Sequence, residues 1–204
     1  MHINNAEHPW LLRYDFDSMI DFCLWALTRD GMHISPFTAH PPGDRSLSLR
    51  GMQAQEWLEW IMSIVRLREQ QEKVTPPSLQ RGPSYPQLPS DPSDLWRGNS
   101  EVKQHLHELW EEYRPLSSSR RKWLPSLARN LTLTDTNRQL WNDLQPYHTR
   151  IPSLTIYFVA YPQQVALSVA PASIIVTVVN SSVDSESFRQ QILKTVETDF
   201  GSLA

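Results

Sequence analysis

Cysteine occurs once in this 204-residue chain, at Cys23. A single thiol excludes an intramolecular disulfide framework and every Cys-x-x-Cys metal or redox site. Glycine is almost as scarce: there are 6, and no two stand closer than eight residues. That spacing disfavours glycine-rich phosphate loops, and no Walker loop, dinucleotide fingerprint or zinc-protease helix is present. The longest strongly apolar stretch, Leu154 to Tyr161, has eight residues, far below the ~20 of a membrane helix. The start, Met1 to Glu7, lacks a basic cluster leading into an apolar run, so a soluble cytoplasmic protein without membrane contact is expected. A net charge of −3 disfavours a globally basic nucleic-acid binder.

What is present is unusual in a different way. The chain has 8 Trp and 16 Pro, and its 40% hydrophobic content suffices for a substantial core. Phe16, Met19, Ile20, Cys23, Leu24 and Leu27 recur at helical spacing, which predicts a helix over Asp15 to Asp30 with Gly31 as its stop. A second, wide-faced helix is expected from Gly51 to Lys73, lined by Trp57, Ile61, Ile64 and Arg68. Residues 74–98 form a proline-rich connector without hydrophobic period. Within it Pro83, Pro86, Pro89 and Pro92 repeat every three residues, the period of a polyproline II ridge. Internal packing of that ridge on tryptophans is the favoured reading, ahead of an outward recognition strip. Val102, Leu106, Leu109, Trp110 and Tyr113 then mark a helix capped by Ser100 and ended by Pro115. Two shorter helical pieces follow, around Ser119 to Arg129 and over Asp135 to Gln145.

The pattern changes after Pro152. Leu154 to Tyr161 reads as a strand buried on both faces, Val165 to Ala170 as a half-buried strand, and Ser173 to Val179 as a third strand. Short links between them predict a three-stranded antiparallel meander. Asp184 caps a last helix, with Phe188, Ile192, Val196 and Phe200 on one side. The expectation is therefore one α+β domain over residues 1–204. N-terminal helices (1–150) pack on the C-terminal meander, which carries a C-terminal helix (151–204).

Three functional readings follow, and no family resemblance supports any of them. The first is a non-enzymatic interaction or regulatory module, working through a protein partner or a second copy of itself. It rests on aromatic and proline richness and on uncharged sheet edges. The second is a small-ligand binder or small enzyme using the loop His33 to Arg45. Here His33, Ser35, His40, Asp44 and Arg45 gather imidazole, hydroxyl, carboxylate and guanidinium groups within thirteen residues. The third is polyanion binding by the basic block 114–150, which carries 7 basic and 2 acidic groups. Arg114, Arg120, Arg121, Lys122 and Arg129 are its candidates, beside Trp123. That block matches no nucleic-acid motif, so nucleic acid ranks last among the partners. No cofactor or catalytic residue is assigned. No metal is expected either: His105 and His107 are two apart on a helix and so point to nearly opposite sides. Cys23 reads as a buried inert thiol.

Overall fold

How deeply each strand is buried decides the architecture. The computed structural model describes residues 11–30, 34–37, 53–74, 89–123, 126–127, 130–131, 135–151, 153–170, 172–179 and 184–201. In chain order these form β1 (Leu11–Asp15), α1 (Ser18–Arg29), α2 (Ala54–Val74), α3 (Ser100–Arg121), α4 (Asp135–Leu144), β2 (Ser153–Ala160), β3 (Ala166–Ala170), β4 (Ser173–Val178) and α5 (Ser185–Phe200). Short 3-10 turns lie at Pro92–Leu95 and Gln145–Tyr147. The class is α+β.

The sheet corrects the sequence-based expectation. It has four strands in the order β1-β2-β4-β3, not three in an antiparallel meander. β1 runs parallel to β2, with Leu11 opposite Ser153 and Asp15 opposite Tyr157. β2 runs parallel to β4, and only β3 is antiparallel, paired to β4 at the edge. The physical reason is burial. All six residues of β4 are buried, so that strand is stable only between two neighbours. β3, with three of its five residues half-buried, suits an edge. The link after β2 spans the width of one inserted strand, about 10 Å, which five residues reach easily.

Each face of the sheet has its own apolar cluster. Tyr157, Val159, Val169 and Ile175 meet α1, α2 and α3 through Phe22, Cys23, Trp57, Ile61, Leu106 and Tyr113. Leu12, Leu154, Ile156, Phe158, Ile174 and Val176 meet α4 and α5 through Leu140, Leu144, Phe188, Ile192 and Val196. β2, buried along all but its two end residues, thus finds cover on both sides. Of the tryptophans in the described segments, Trp57, Trp60, Trp96, Trp110 and Trp141 are buried, while Trp25 and Trp123 are half-buried. Phe22 sits among them, with ring centroids 6.0 Å from Trp60, 5.1 Å from Trp110 and 5.4 Å from Tyr113.

Helix ends follow local chemistry. α1 starts later than expected because residues 11–15 are a strand. Asp17 Oδ1 caps it, accepting from the Met19 N–H at 2.7 Å and the Ile20 N–H at 3.2 Å. Asn99 rather than Ser100 caps α3, accepting from the Glu101 N–H at 2.7 Å. Asp184 caps α5 as expected, accepting from the Ser187 N–H at 2.7 Å.

Pro115 does not end α3; the helix continues to Arg121, so no separate helix begins at Ser119. Pro115 is exposed, so the helix loses one N–H where water replaces it. The buried stripe nonetheless stops at Tyr113, which is why periodicity alone ends there. Pro92 of the proline ridge is buried, and its carbonyl accepts the Trp60 indole N–H at 2.8 Å. Trp96 folds back so closely that a Cβ on Gly98 would lie 2.6 Å from its indole. Pro83 and Pro86 lie outside the described residues.

Candidate functional site

The two regions singled out from sequence fare differently. In the loop His33 to Arg45, the residues His33, His40, Asp44 and Arg45 lie outside the described residues. Ser35 is described and exposed, in a tight turn where Ile34 and Phe37 exchange backbone hydrogen bonds of 3.1 and 2.5 Å. Both of those apolar neighbours are buried, so they anchor the turn while Ser35 faces out.

The basic block does not form one face. Arg114 is exposed and pairs with Glu111 on its own helix at 3.0 Å. Arg129 lies outside the described residues. Arg120 turns inward to Asp21, a fully buried carboxylate on α1. Its Nε and Nη2 donate to Asp21 at 2.5 and 3.0 Å, the Tyr113 hydroxyl donates at 2.8 Å, and the Ala160 N–H at 3.0 Å. Arg120 also donates to the Ala160 carbonyl at 3.2 Å. This cluster joins α1, α3 and the end of β2. Every acceptor position of Asp21 in it is taken by the protein, so it is a clamp rather than a site. Burial and the adjacent Asp21 charge push the Tyr113 phenol far above its ordinary value.

The remaining two cations, Arg121 and Lys122, line a crevice of about 700 Å³. Its first wall is the junction of β1 and α1, Asp15 to Ser18. The second is α2, through Arg68 and Gln71. The end of α3 gives the third, with Ser117 and Ser118 beside the two cations, and Tyr157 of β2 lies at the back. The crevice thus opens at the carboxyl end of β1, beside the middle of its parallel neighbour β2. That position follows from topology, because the chain leaves β1 to enter α1 while β2 continues beyond it.

Charge in the crevice is unevenly matched. Asp17, 4% exposed, uses one oxygen as the α1 cap and the other to hold the Arg68 Nε. That ion pair fixes Arg68 against the wall and leaves its two terminal nitrogens without a partner among the described residues. Asp15 Oδ1 accepts from the Phe16 N–H at 2.8 Å. Among the described residues its Oδ2 has only Arg13 nearby, at 3.9 Å. The side chains of Arg121 and Lys122 meet no carboxylate among the described residues. With Asp17 and Arg68 cancelling, two cations face one carboxylate. The arrangement can hold an anion by charge-assisted hydrogen bonds.

Several polar groups elsewhere are paired within the protein. His105 Nε2 meets Asp30 Oδ2 at 2.8 Å, and His107 Nδ1 meets Asp91. The Asp91 carboxylate raises His107 above its ordinary 6.5, first by accepting the hydrogen bond and then by its charge. Glu112 pairs with Arg29 at 3.2 Å, and Glu108 accepts from Gln104 at 3.3 Å. Among the described residues no group of three or more potential ligands converges on a metal position. Nor is any described helix long and apolar enough to cross a membrane. A second crevice of about 430 Å³ between β3 and α5 carries one Lys194 and one Asp199, which balance.

Sequence reasoning found Arg121 and Lys122 but missed the rest of the crevice. Asp15 and Asp17 read as helix-start carboxylates and Arg68 as part of a helix stripe. Only the fold brings them to the end of α3. Comparison of the chain with protein-family models, with curated proteins and with solved structures returns no match.

Proposed function

We propose that the protein binds a small anionic ligand in the crevice between β1, α2 and the end of α3. The observation that carries this reading is the pair Arg121 and Lys122, which meet no carboxylate among the described residues, beside an Arg68 already locked by Asp17. Two cations facing one carboxylate favour an oxyanion, and the hydroxyls of Ser18 and Ser118 supply further donors. The reading merges two sequence expectations: ligand binding moves from the loop His33 to Arg45 to this crevice, and the basic block narrows to two residues. Arg114 and Arg120 have partners of their own, which disfavours an extended polyanion track.

Thermal unfolding in inorganic phosphate tests it, with chloride at equal ionic strength as control. Phosphate at ~100 times its Kd stabilises the folded state by about 2.7 kcal/mol. For a chain of this length that is a rise in Tm of about 5–10 °C. The double variant R121E/K122E, at two exposed positions, is expected to keep its circular dichroism and lose the rise. An equal rise in that variant, or none in the wild type, refutes the proposal.

A self-associating interaction module is the second reading. One observation favours it: β3, Ala-Leu-Ser-Val-Ala, is an uncharged strand at the sheet edge. Support from surface aromatics is weaker than the sequence suggested, because the described tryptophans are spent on the cores. Leu116 is the only large apolar side chain exposed among the described residues. Sedimentation decides it: a mass that rises with concentration supports the module, and a monomer at high micromolar concentration removes it.

A further inference from the structure

We infer that the anion held in this crevice is a phosphate carried on a hydroxyl-rich body, a phosphorylated sugar or polyol. The inference rests on the anion-binding reading and adds the ligand's class. Three features lead to it.

The first is size. A space of about 700 Å³ falls in the ordinary range for small-molecule sites and is much larger than a bare oxyanion needs. The second is the lining. Apart from the ionised groups it presents the hydroxyls of Ser18 and Ser118, while the Ser117 hydroxyl donates to the Arg114 carbonyl at 2.8 Å. Its two aromatics, Phe16 and Tyr157, are 6% and 2% exposed, so neither offers a free ring face on which a base or another flat ring stacks. The third is polarity across the space. Cations stand at the end of α3, while Asp15 stands at the end of β1 with its Oδ2 accepting no hydrogen bond among the described residues. A ligand that was only an anion would gain nothing from Asp15 and would be repelled by it. A ligand with hydroxyl donors at one end and phosphate at the other satisfies both walls, since a carboxylate is an acceptor only.

The experiment is titration calorimetry of the full chain with inorganic phosphate, ribose, ribose 5-phosphate and adenosine monophosphate. Ribose 5-phosphate is expected to bind at least about ten-fold tighter than phosphate, the effect of one good hydrogen bond to a charged group. Ribose alone is expected to bind at least about a hundred-fold more weakly than its phosphate, because it lacks the charged end. D15N is expected to abolish the preference for ribose 5-phosphate while leaving phosphate affinity equal or higher. S118A, at an exposed position on α3, is a second variant that leaves the β1–α1 junction intact. It is expected to weaken ribose 5-phosphate a few-fold.

Equal affinities for phosphate and ribose 5-phosphate, or a preference untouched by D15N, overturn the inference and leave the anion site standing. Tighter binding of adenosine monophosphate than of ribose 5-phosphate also overturns it, in favour of a nucleotide. Absence of any phosphate binding removes the underlying reading as well. Vesicles containing phosphatidylinositol 4-phosphate present the same chemistry on a membrane. Binding to ribose 5-phosphate without vesicle binding places the ligand in solution, and vesicle binding assigns the same chemistry to a lipid headgroup.

Discussion

Replacing Arg120 by Met is predicted to destabilise the protein more than replacing its partner Asp21 by Asn, although both remove the same ion pair. The asymmetry comes from solvent access: Asp21 is fully buried, whereas the Arg120 side chain is 23% exposed. In R120M the carboxylate keeps the Tyr113 hydroxyl and the Ala160 N–H but loses the two hydrogen bonds and the countercharge that Arg120 supplies. A buried charge left without its partner costs about 3–5 kcal/mol. In D21N the guanidinium turns toward water, and the loss is that of hydrogen bonds to a charged group, about 1.5–3 kcal/mol. The double variant D21N/R120M removes the stranded charge, so it is predicted to be more stable than R120M alone. Such a coupled pair is expected to deviate from additivity by at least about 1 kcal/mol. Urea unfolding followed by tryptophan fluorescence measures all three variants against the wild type. A cost below about 1 kcal/mol for R120M, or a larger cost for D21N than for R120M, refutes the description of this cluster as a buried clamp.

Three further predictions concern single side chains. Burial first, with the charges of Asp17 and Asp21 adding to it, raises the Cys23 thiol well above its ordinary value. A disulfide reagent is therefore expected to label it only at the rate of unfolding, and full labelling within seconds in native buffer contradicts its placement. His107 is expected to titrate above 6.5 by nuclear magnetic resonance and to return toward 6.5 in D91N. The sign follows from linkage: its stabilising contribution is complete below the unfolded value and is lost as pH rises through the raised folded one. Titration at or below 6.5 contradicts the pairing. Pro115→Ala is expected to raise stability by about 2–2.5 kcal/mol, the helix-interior cost of proline less the entropy it removes from the unfolded chain. An unchanged or lower Tm contradicts a helix continuous through that position.

Much of the fold was legible because burial left a period in the sequence. α2, the Asp184 cap and the Phe188, Ile192, Val196 side of α5 follow from spacing alone, as do the three C-terminal strands. β1 was not legible: it has five residues, and only Leu12 among them is buried. Its polar Arg13, Tyr14 and Asp15 merge into the start of the following helix. Strand order was misread because chain proximity suggested pairing where burial had to decide. The relevant contrast was present, an Ile- and Val-rich β4 against an alternating β3, and it places β4 inside the sheet.

The crevice was the least legible element, for a different reason. Arg120 and Arg121 are neighbours with the same chemistry, yet one is buried on Asp21 and the other lines open space. Helical geometry separates them by about 100°, and nothing local says which of the two meets α1. Nor does spacing connect Asp15, Arg68 and Lys122, which come from three elements joined only by the sheet and its helical cover.

The most direct test of anion binding in the crevice is a map of amide chemical-shift changes on adding inorganic phosphate to labelled protein. Changes that cluster at Ser18, Ser118, Arg121 and Lys122, and that vanish in R121E/K122E, are the predicted result. Changes centred on another surface, or persisting in that variant, would contradict the assignment of this crevice as the site.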